Sequence, residues 1–294
     1  MEKARKKFIF GMQISSTNKN PLVKYHLNDM TRSNYEQLLI HAKKNYQFCN
    51  YKNFRKYQKF ILWRHDIDVS AKHARELAEI EAKHKVKATY YVLLHSELYN
   101  LLDKHDYGDI KKIIKLGHEI GLHFETGFYD VKSEKQLVKY LAAEKKFLEE
   151  IFGVKIYTFS FHNPDKHSLK FDKPSYAGMI NTYSKFFRSR VNYCSDSNGY
   201  WRHKRIKQVL CNEKHERLQV LTHPIFWQKK AGFPKNKIWN WTFEEADRKL
   251  ISYDKLLKKC GRKNIGELDD SFRKLDKLDK TISFRIQKYF ISEQ

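Results

Sequence analysis

Phe60-Ile61-Leu62-Trp63-Arg64-His65-Asp66-Ile67-Asp68 is the stretch whose reading decides the fold. Its apolar first half reads as a buried strand, which ends by presenting an arginine, a histidine and two aspartates. Alternate side chains of a strand share a face, so Asp66 and Asp68 point the same way with Arg64 beside them. Two adjacent carboxylates repel unless a cation or a shared proton compensates. A second acidic and histidine-bearing stretch, Gly117-His118-Glu119-Ile120-Gly121-Leu122-His123-Phe124-Glu125, lies about fifty residues further on. Together the two stretches point to metal-assisted hydrolysis.

Working outward, strands and helices alternate. Tyr35 to Lys44 has helical spacing of Leu38, Leu39 and Ala42. Ser70 reads as the N-cap of a helix through about His84, and Ala88 to Leu94 as a β-branched and aromatic strand. Tyr107 to Leu116 reads as a helix ended by Gly117, and Glu119 to Phe124 as the next strand. Ser133 caps a long helix to Phe152, with Gly153 beyond it, and Ile156 to Phe161 is a strand leading into His162-Asn163-Pro164. Tyr193-Cys194-Ser195-Asp196 and Leu218 to Pro224 continue the series less regularly. Repeated βα units of this length imply a parallel α/β sheet. There is no G-x-G-x-x-G after the first strand and no P-loop, so nucleotide binding by those routes is unsupported. Beyond Trp227 the chain changes character, and Trp239 to Lys259 and Ile265 to Tyr289 read as charged helices. The expected organisation is a helical lead-in over 1–55, a catalytic barrel over 56–228 and a basic helical extension over 229–294.

The net charge of +24 is the unusual number in the composition. It is spread rather than concentrated: residues 228–294 carry 17 Lys/Arg against 10 Asp/Glu, close to a proportional share. Diffuse charge suits solubility and the steering of anionic substrates better than specific nucleic-acid recognition, which we do not expect. Cys49, Cys194, Cys211 and Cys260 are scattered with no CxxC pair, against a thiolate zinc site or a dense disulfide framework. Phe8 to Met12 is too short for a signal peptide and no run approaches the ~20 apolar residues of a membrane span. A cytoplasmic location with at most peripheral membrane contact is expected.

Ligand and catalytic groups in parallel α/β folds gather beyond the carboxyl ends of strands. Five segments stand there: Asp66 with Asp68, His123 with Glu125, His162, Asp196, and His223. A lone histidine at a strand end is usually a hydrogen-bonded structural residue, so the recurrence carries the inference. His73, His84, His95 and His105 read as surface residues, and His118 as a structural residue turned away from the cluster.

The order of these segments resembles the polysaccharide deacetylase family, the NodB homology domain of carbohydrate esterase family four, and within it a subgroup tied to surface-polysaccharide gene clusters. The likeness spans roughly Leu62 to Trp227. Arg64 to Asp68 looks like the family's first motif in its D-x-D form, and Gly117 to His123 is similar to its G-H-E-I-G-x-H, the most specific stretch. Thr158 to Pro164, Asp196 to Trp201 and Leu221 to Pro224 stand where the third, fourth and fifth motifs fall. The resemblance implies a distorted (β/α) barrel of about seven parallel strands with a C-terminal helical extension. It implies Asp66 as general base, Asp68 and His123 as metal ligands, and His223 as general acid supported by Asp196. The ion is expected to be zinc, with cobalt or nickel as alternatives. The substrate is expected to be an N-acetylated sugar or glycan, the reaction removal of its acetyl group. Phe124, Tyr193, Trp201 and Trp227 are candidates for stacking on a sugar ring.

One departure matters. The family's second metal histidine falls on Gly127. His162 is the first choice to replace it and Glu125 the second, because such sites need three protein ligands. The third motif's arginine is also missing, and Arg64 is the candidate to orient Asp66. Hydrolysis of another non-peptide C–N bond or an ester on the same fold, or inactive glycan or polyanion binding, are the alternative readings.

Overall fold

A computed structural model describes residues 21–212 and 214–265. Among the described residues nine strands make one sheet: β1 (Gln47–Cys49), β2 (Phe60–Ile67), β3 (Thr89–Leu93), β4 (Glu119–Phe124), β5 (Thr158–Phe161), β6 (Ser175–Tyr176), β7 (Met179–Asn181), β8 (Asn192–Ser195) and β9 (Arg217–Thr222). The order is β6-β7-β5-β4-β3-β2-β9-β8, with β1 joined to β2. Every pairing is parallel except the two-residue β6 against β7. Because β9 lines Phe60 to His65 along one edge of β2, β1 (opposite Phe60–Leu62) and β3 (opposite Arg64–Ile67) share the other edge end to end.

The helices are α1 (Pro21–Lys24), α2 (Arg32–Asn45), α3 (Ala71–Lys83), α4 (Lys104–Lys115), α5 (Glu134–Phe152), α6 (Lys185–Arg190), α7 (Ile206–Cys211) and α8 (Pro234–Lys259). Local chemistry sets their ends. The Ser70 hydroxyl accepts from the His73 N–H at the start of α3, and Ser133 with Gln136 closes a capping box on α5. Gly153 ends α5 in the left-handed conformation.

The sheet is curled into a distorted, incompletely closed barrel. On β2, the Arg64 guanidinium reaches Ser160 on β5 and Thr182 just past β7. Three strand spacings in a flat sheet would separate β2 from β5 by about 14 Å, beyond the reach of one side chain. Curvature brings these residues together, and β6 and β8 remain the two edges of the sheet. Gly121 on β4 belongs to the same interior: a Cβ there would stand 2.4 Å from the Tyr91 ring and 2.9 Å from the Thr158 hydroxyl. The outer face packs against the helices. Ala71, Ala74, Leu77 and Ala78 of α3 and Leu137, Leu141 and Leu148 of α5 are fully buried there, and each large side chain contributes about 1.5–3 kcal/mol.

The lead-in is not purely helical, since β1 extends the barrel sheet. The division between compact units falls between Ile238 and Trp239. Nearly all of the helix expected over Ile265–Tyr289 lies outside the described residues. No helix among the described residues is long and apolar enough to cross a membrane.

Candidate active site

By alternation β2 delivers Arg64 and Asp66 to the site, and Asp68 keeps the same spacing just past the strand's end. Arg64 is fully buried and donates from Nη2 to Asp66 Oδ2 (2.7 Å) and to Ser160 Oγ (2.6 Å), and from Nη1 to Thr182 Oγ1 (2.9 Å). Tyr91 and Tyr183 present their ring faces to it at 4.9 and 5.3 Å. An arginine so enclosed keeps its charge, and Asp66 is the carboxylate that compensates it. Arg64 therefore orients Asp66, as the sequence suggested, and leaves Asp66 Oδ1 buried with no hydrogen-bond partner.

Asp68 follows two residues on, its carbonyl fixed by the Ser96 hydroxyl at 3.0 Å. His123 comes from the end of β4, and its Nδ1 donates to the Ser160 carbonyl (3.2 Å), which turns Nε2 inward. Nε2 lies 3.2 Å from Asp68 Oδ1 and 3.6 Å from Asp66 Oδ2. The His162 ring, just past β5, stands edge-on to His123 with centroids 5.1 Å apart. Asp68, His123 and His162 bring ligand atoms within 4.8 Å of one another.

These residues fit a divalent ion. Asp68 Oδ1 and His162 Nδ1 are buried with no hydrogen-bond partner. The 3.2 Å between Asp68 Oδ1 and His123 Nε2 is close to the ~3.4 Å edge of a tetrahedron with ~2.1 Å bonds. The electrostatics agree. Burial works against a charged His123, yet Asp66 and Asp68 raise its pKa above the usual value. Burial likewise opposes ionisation of Asp68, but His123, His223 and His162 hold its carboxyl well below the usual carboxylate range. Both shifts describe a pocket that stabilises positive charge among its carboxylates. Glu125, the second choice, sits beside this group: its Oε1 is 3.6 Å from His162 Nδ1, and it is not among the three that converge.

The opposite wall is built by β8 and β9. Asp196 is fully buried, and its carboxylate accepts from His223 Nδ1 (2.6 Å), the His223 backbone N–H (2.9 Å) and the Trp227 indole (2.8 Å). The tight turn after it depends on Gly199 at φ 85°, where a Cβ would strike the Phe226 ring at 2.6 Å. Burial disfavours the His223 imidazolium, but Asp196 outweighs that penalty and pushes the pKa up to about 9. Nε2 of the same ring faces Asp68 Oδ2 at 3.6 Å.

Asp66, Asp68, His123, His162, Asp196 and His223 thus meet at one end of the barrel, with Glu125 beside them. Other expectations fail. Phe124, Trp201 and Trp227 are core residues, and of the four aromatic candidates only Tyr193 is exposed. His73 is buried, with its Nδ1 3.0 Å from the Ser70 hydroxyl, and His95 is half-buried against Glu144; neither is a surface residue. His118 is structural as expected, accepting from the Ala88 N–H and donating to the Ala78 carbonyl. The roles of Ser160 and Thr182 around Arg64 left no periodic or motif signal of their own.

No known family model matches this chain, and no curated protein does. Several solved structures are similar to it. Peptidoglycan deacetylase PdaC from Bacillus subtilis is 16% identical with a TM-score of 0.40, over 69% of this chain and 97% of that one. A CE4 family pseudoenzyme from Bacillus anthracis is 18% identical with a TM-score of 0.37, over 57% and 55%. A family 4 acetyl xylan esterase from Clostridium thermocellum, in complex with a cobalt ion, is 15% identical with a TM-score of 0.39, over 63% and 84%. The chain spans 55% of the length of that pseudoenzyme, and 64% and 63% of its two mutant structures.

Proposed function

We propose that this chain is a divalent-metal-dependent hydrolase that removes the acetyl group from an N-acetylated sugar. The observation that carries the reading is the convergence of Asp68, His123 and His162 beside an oriented carboxylate, Asp66, and a charge-supported histidine, His223. Asp68, His123 and His162 would hold the ion, zinc in the first instance. Such an ion, when bound, supplies Lewis acidity and brings a water pKa toward neutrality.

The chain's own residues supply the proton handling. Asp66, pinned through Oδ2 by Arg64, has Oδ1 free to take a proton from the attacking water. His223, kept charged by Asp196, has Nε2 free to give a proton to the departing amine. One proton is taken and one returned, and acetate and a free amino sugar leave. We further propose that the chain acts inside the cell in surface-polysaccharide assembly, through a catalytic barrel over 56–228.

The test is metal content by mass spectrometry on protein purified without added metal or chelator, followed by acetate release from N-acetylated sugars. About one zinc, cobalt or nickel per chain is expected, lost in Asp68→Ala and His123→Ala. In His162→Ala, affinity is expected to fall at least about a hundredfold, since losing even a residue that orients a ligand costs 10–100-fold. Undiminished affinity in His162→Ala would remove it from the ligand set. A wild type that takes up no metal even when zinc is supplied would overturn the hydrolase and leave a binding scaffold.

A further inference from the structure

We propose that Phe128, stacked on His95, is a platform for the apolar face of a pyranose, forming a subsite next to the acetylated sugar. The proposal rests on the hydrolase reading above. Phe128 stands at the tip of the turn that follows β4, where Asp130 N–H bonds to Gly127 C=O and Val131 N–H to Thr126 C=O. Phe128 is 57% exposed, whereas the neighbouring Phe124 and Phe161 are buried in the core.

An exposed phenyl ring on a loop ordinarily folds down onto apolar surface. This one is held up. The His95 ring lies parallel beneath it, with centroids 3.5 Å apart and planes at 9°, and Tyr129 meets it edge-on at 4.9 Å. His95 is itself fixed, because its Nε2 is 2.9 Å from the Tyr129 hydroxyl and 3.0 Å from Glu144 Oε1. Tyr129 is in turn stacked on Tyr140 at 4.0 Å and 9°. Burial lowers the His95 pKa and pushes Glu144 up to about 8, so the support beneath the phenyl ring is uncharged near neutral pH.

The platform joins two loops that border the proposed metal site. His95 precedes Ser96, whose hydroxyl holds the Asp68 carbonyl. Phe128 lies three residues beyond Glu125, which faces His162 at 3.6 Å. A flat, rigid aromatic face at the rim of a polar site suits a ring that is apolar on one side and rich in hydroxyls at its edge, and a pyranose is such a ring. Rigidity matters here because a platform ordered in advance spares the ligand the cost of ordering it.

The experiment compares wild type, Phe128→Ala and Phe128→Trp in the full zinc-loaded chain. The probes are N-acetylglucosamine and its β-1,4-linked tetramer. In Phe128→Ala the KM for the tetramer should rise about tenfold, equivalent to ~1.4 kcal/mol. The KM for the monomer should move less than twofold, and Phe128→Trp should restore tetramer affinity. Equal tetramer KM in wild type and Phe128→Ala, or an equal loss for monomer and tetramer, would overturn the subsite while the hydrolase stands. Should no acetate be released by wild type, tetramer binding followed by NMR titration separates the two ideas. Weaker binding by Phe128→Ala would keep the platform and discard the hydrolase, whereas equal or absent binding in both would discard the platform.

Discussion

Two histidine–carboxylate pairs stand on opposite sides of the same sheet, each closed at 2.6 Å: His223 with Asp196, and His65 with Glu81. The chemistry is the same and the surroundings are not. Glu81 is fully buried and takes its second oxygen's bond from the Tyr90 hydroxyl (2.7 Å), while the Tyr35 hydroxyl joins its first. The other nitrogen of His65 is bonded to Thr222 at 2.7 Å. Nothing in that network is left to offer a ligand. In the His223 pair, by contrast, the outer nitrogen faces Asp68 without a hydrogen bond, and the ring reaches the surface. A saturated pair holds the fold together, and an unsaturated pair can exchange a proton with something that arrives.

Removing each pair should separate these roles. His223→Ala should lower kcat on an N-acetylated sugar by about 10²–10⁴, the usual worth of a positioned acid, with bound zinc retained. A smaller loss than tenfold in steady-state assays would mean that another group protonates the amine. Glu81→Ala strips a buried pair of one partner and should cost about 3–5 kcal/mol of stability. The melting temperature would fall on the order of 10 °C by calorimetry, while the folded fraction keeps its metal. A wild-type melting temperature would refute the structural reading of that pair.

The subtlest contrast is in pH. His223 has its folded pKa raised, so it stays protonated up to about pH 9, and activity that needs this proton is lost as pH rises through that value. Asp196→Asn removes the largest of the charges that raise it, Asp68 and Asp66 supplying the rest. The alkaline limb should then move down toward the ordinary histidine value near 6.5. A limb that stays in place in that variant would show that some other group sets it.

Much of this was legible in the sequence because it was local. Alternation along β2 placed Arg64, Asp66 and Asp68 together, and Ser70 and Ser133 announced α3 and α5. β1, β6 and β7 escaped notice because two or three residues are too few to show a period. Glu81 and Glu144 escaped because a glutamate in a charged helix is ordinarily solvated. A signal was nevertheless there. Glu81 continues the Ala74, Leu77, Ala78 stripe, and Glu144 interrupts the stripe of Leu137, Leu141 and Leu148 at helical spacing. A carboxylate on the apolar side of such a stripe needs a buried partner, and pairing Glu81 with His65 across α3 and β2 depended on the tertiary fold. The platform under Phe128 likewise joins residues 95, 128 and 144, which no local pattern connects.

That β2 and the residue just past its end carry Arg64, the proposed base Asp66 and the proposed metal ligand Asp68 at two-residue intervals makes this stretch a ruler for the proposed chemistry. A single residue inserted between Arg64 and Asp66 would turn the marks over. Both aspartates would then swing outward against Glu81, and a histidine or its neighbour would take their place inside the barrel. Loops around the rim can lengthen or change without moving the graduations of that ruler, so variation in substrate choice and constancy of reaction would be written in separate parts of the chain.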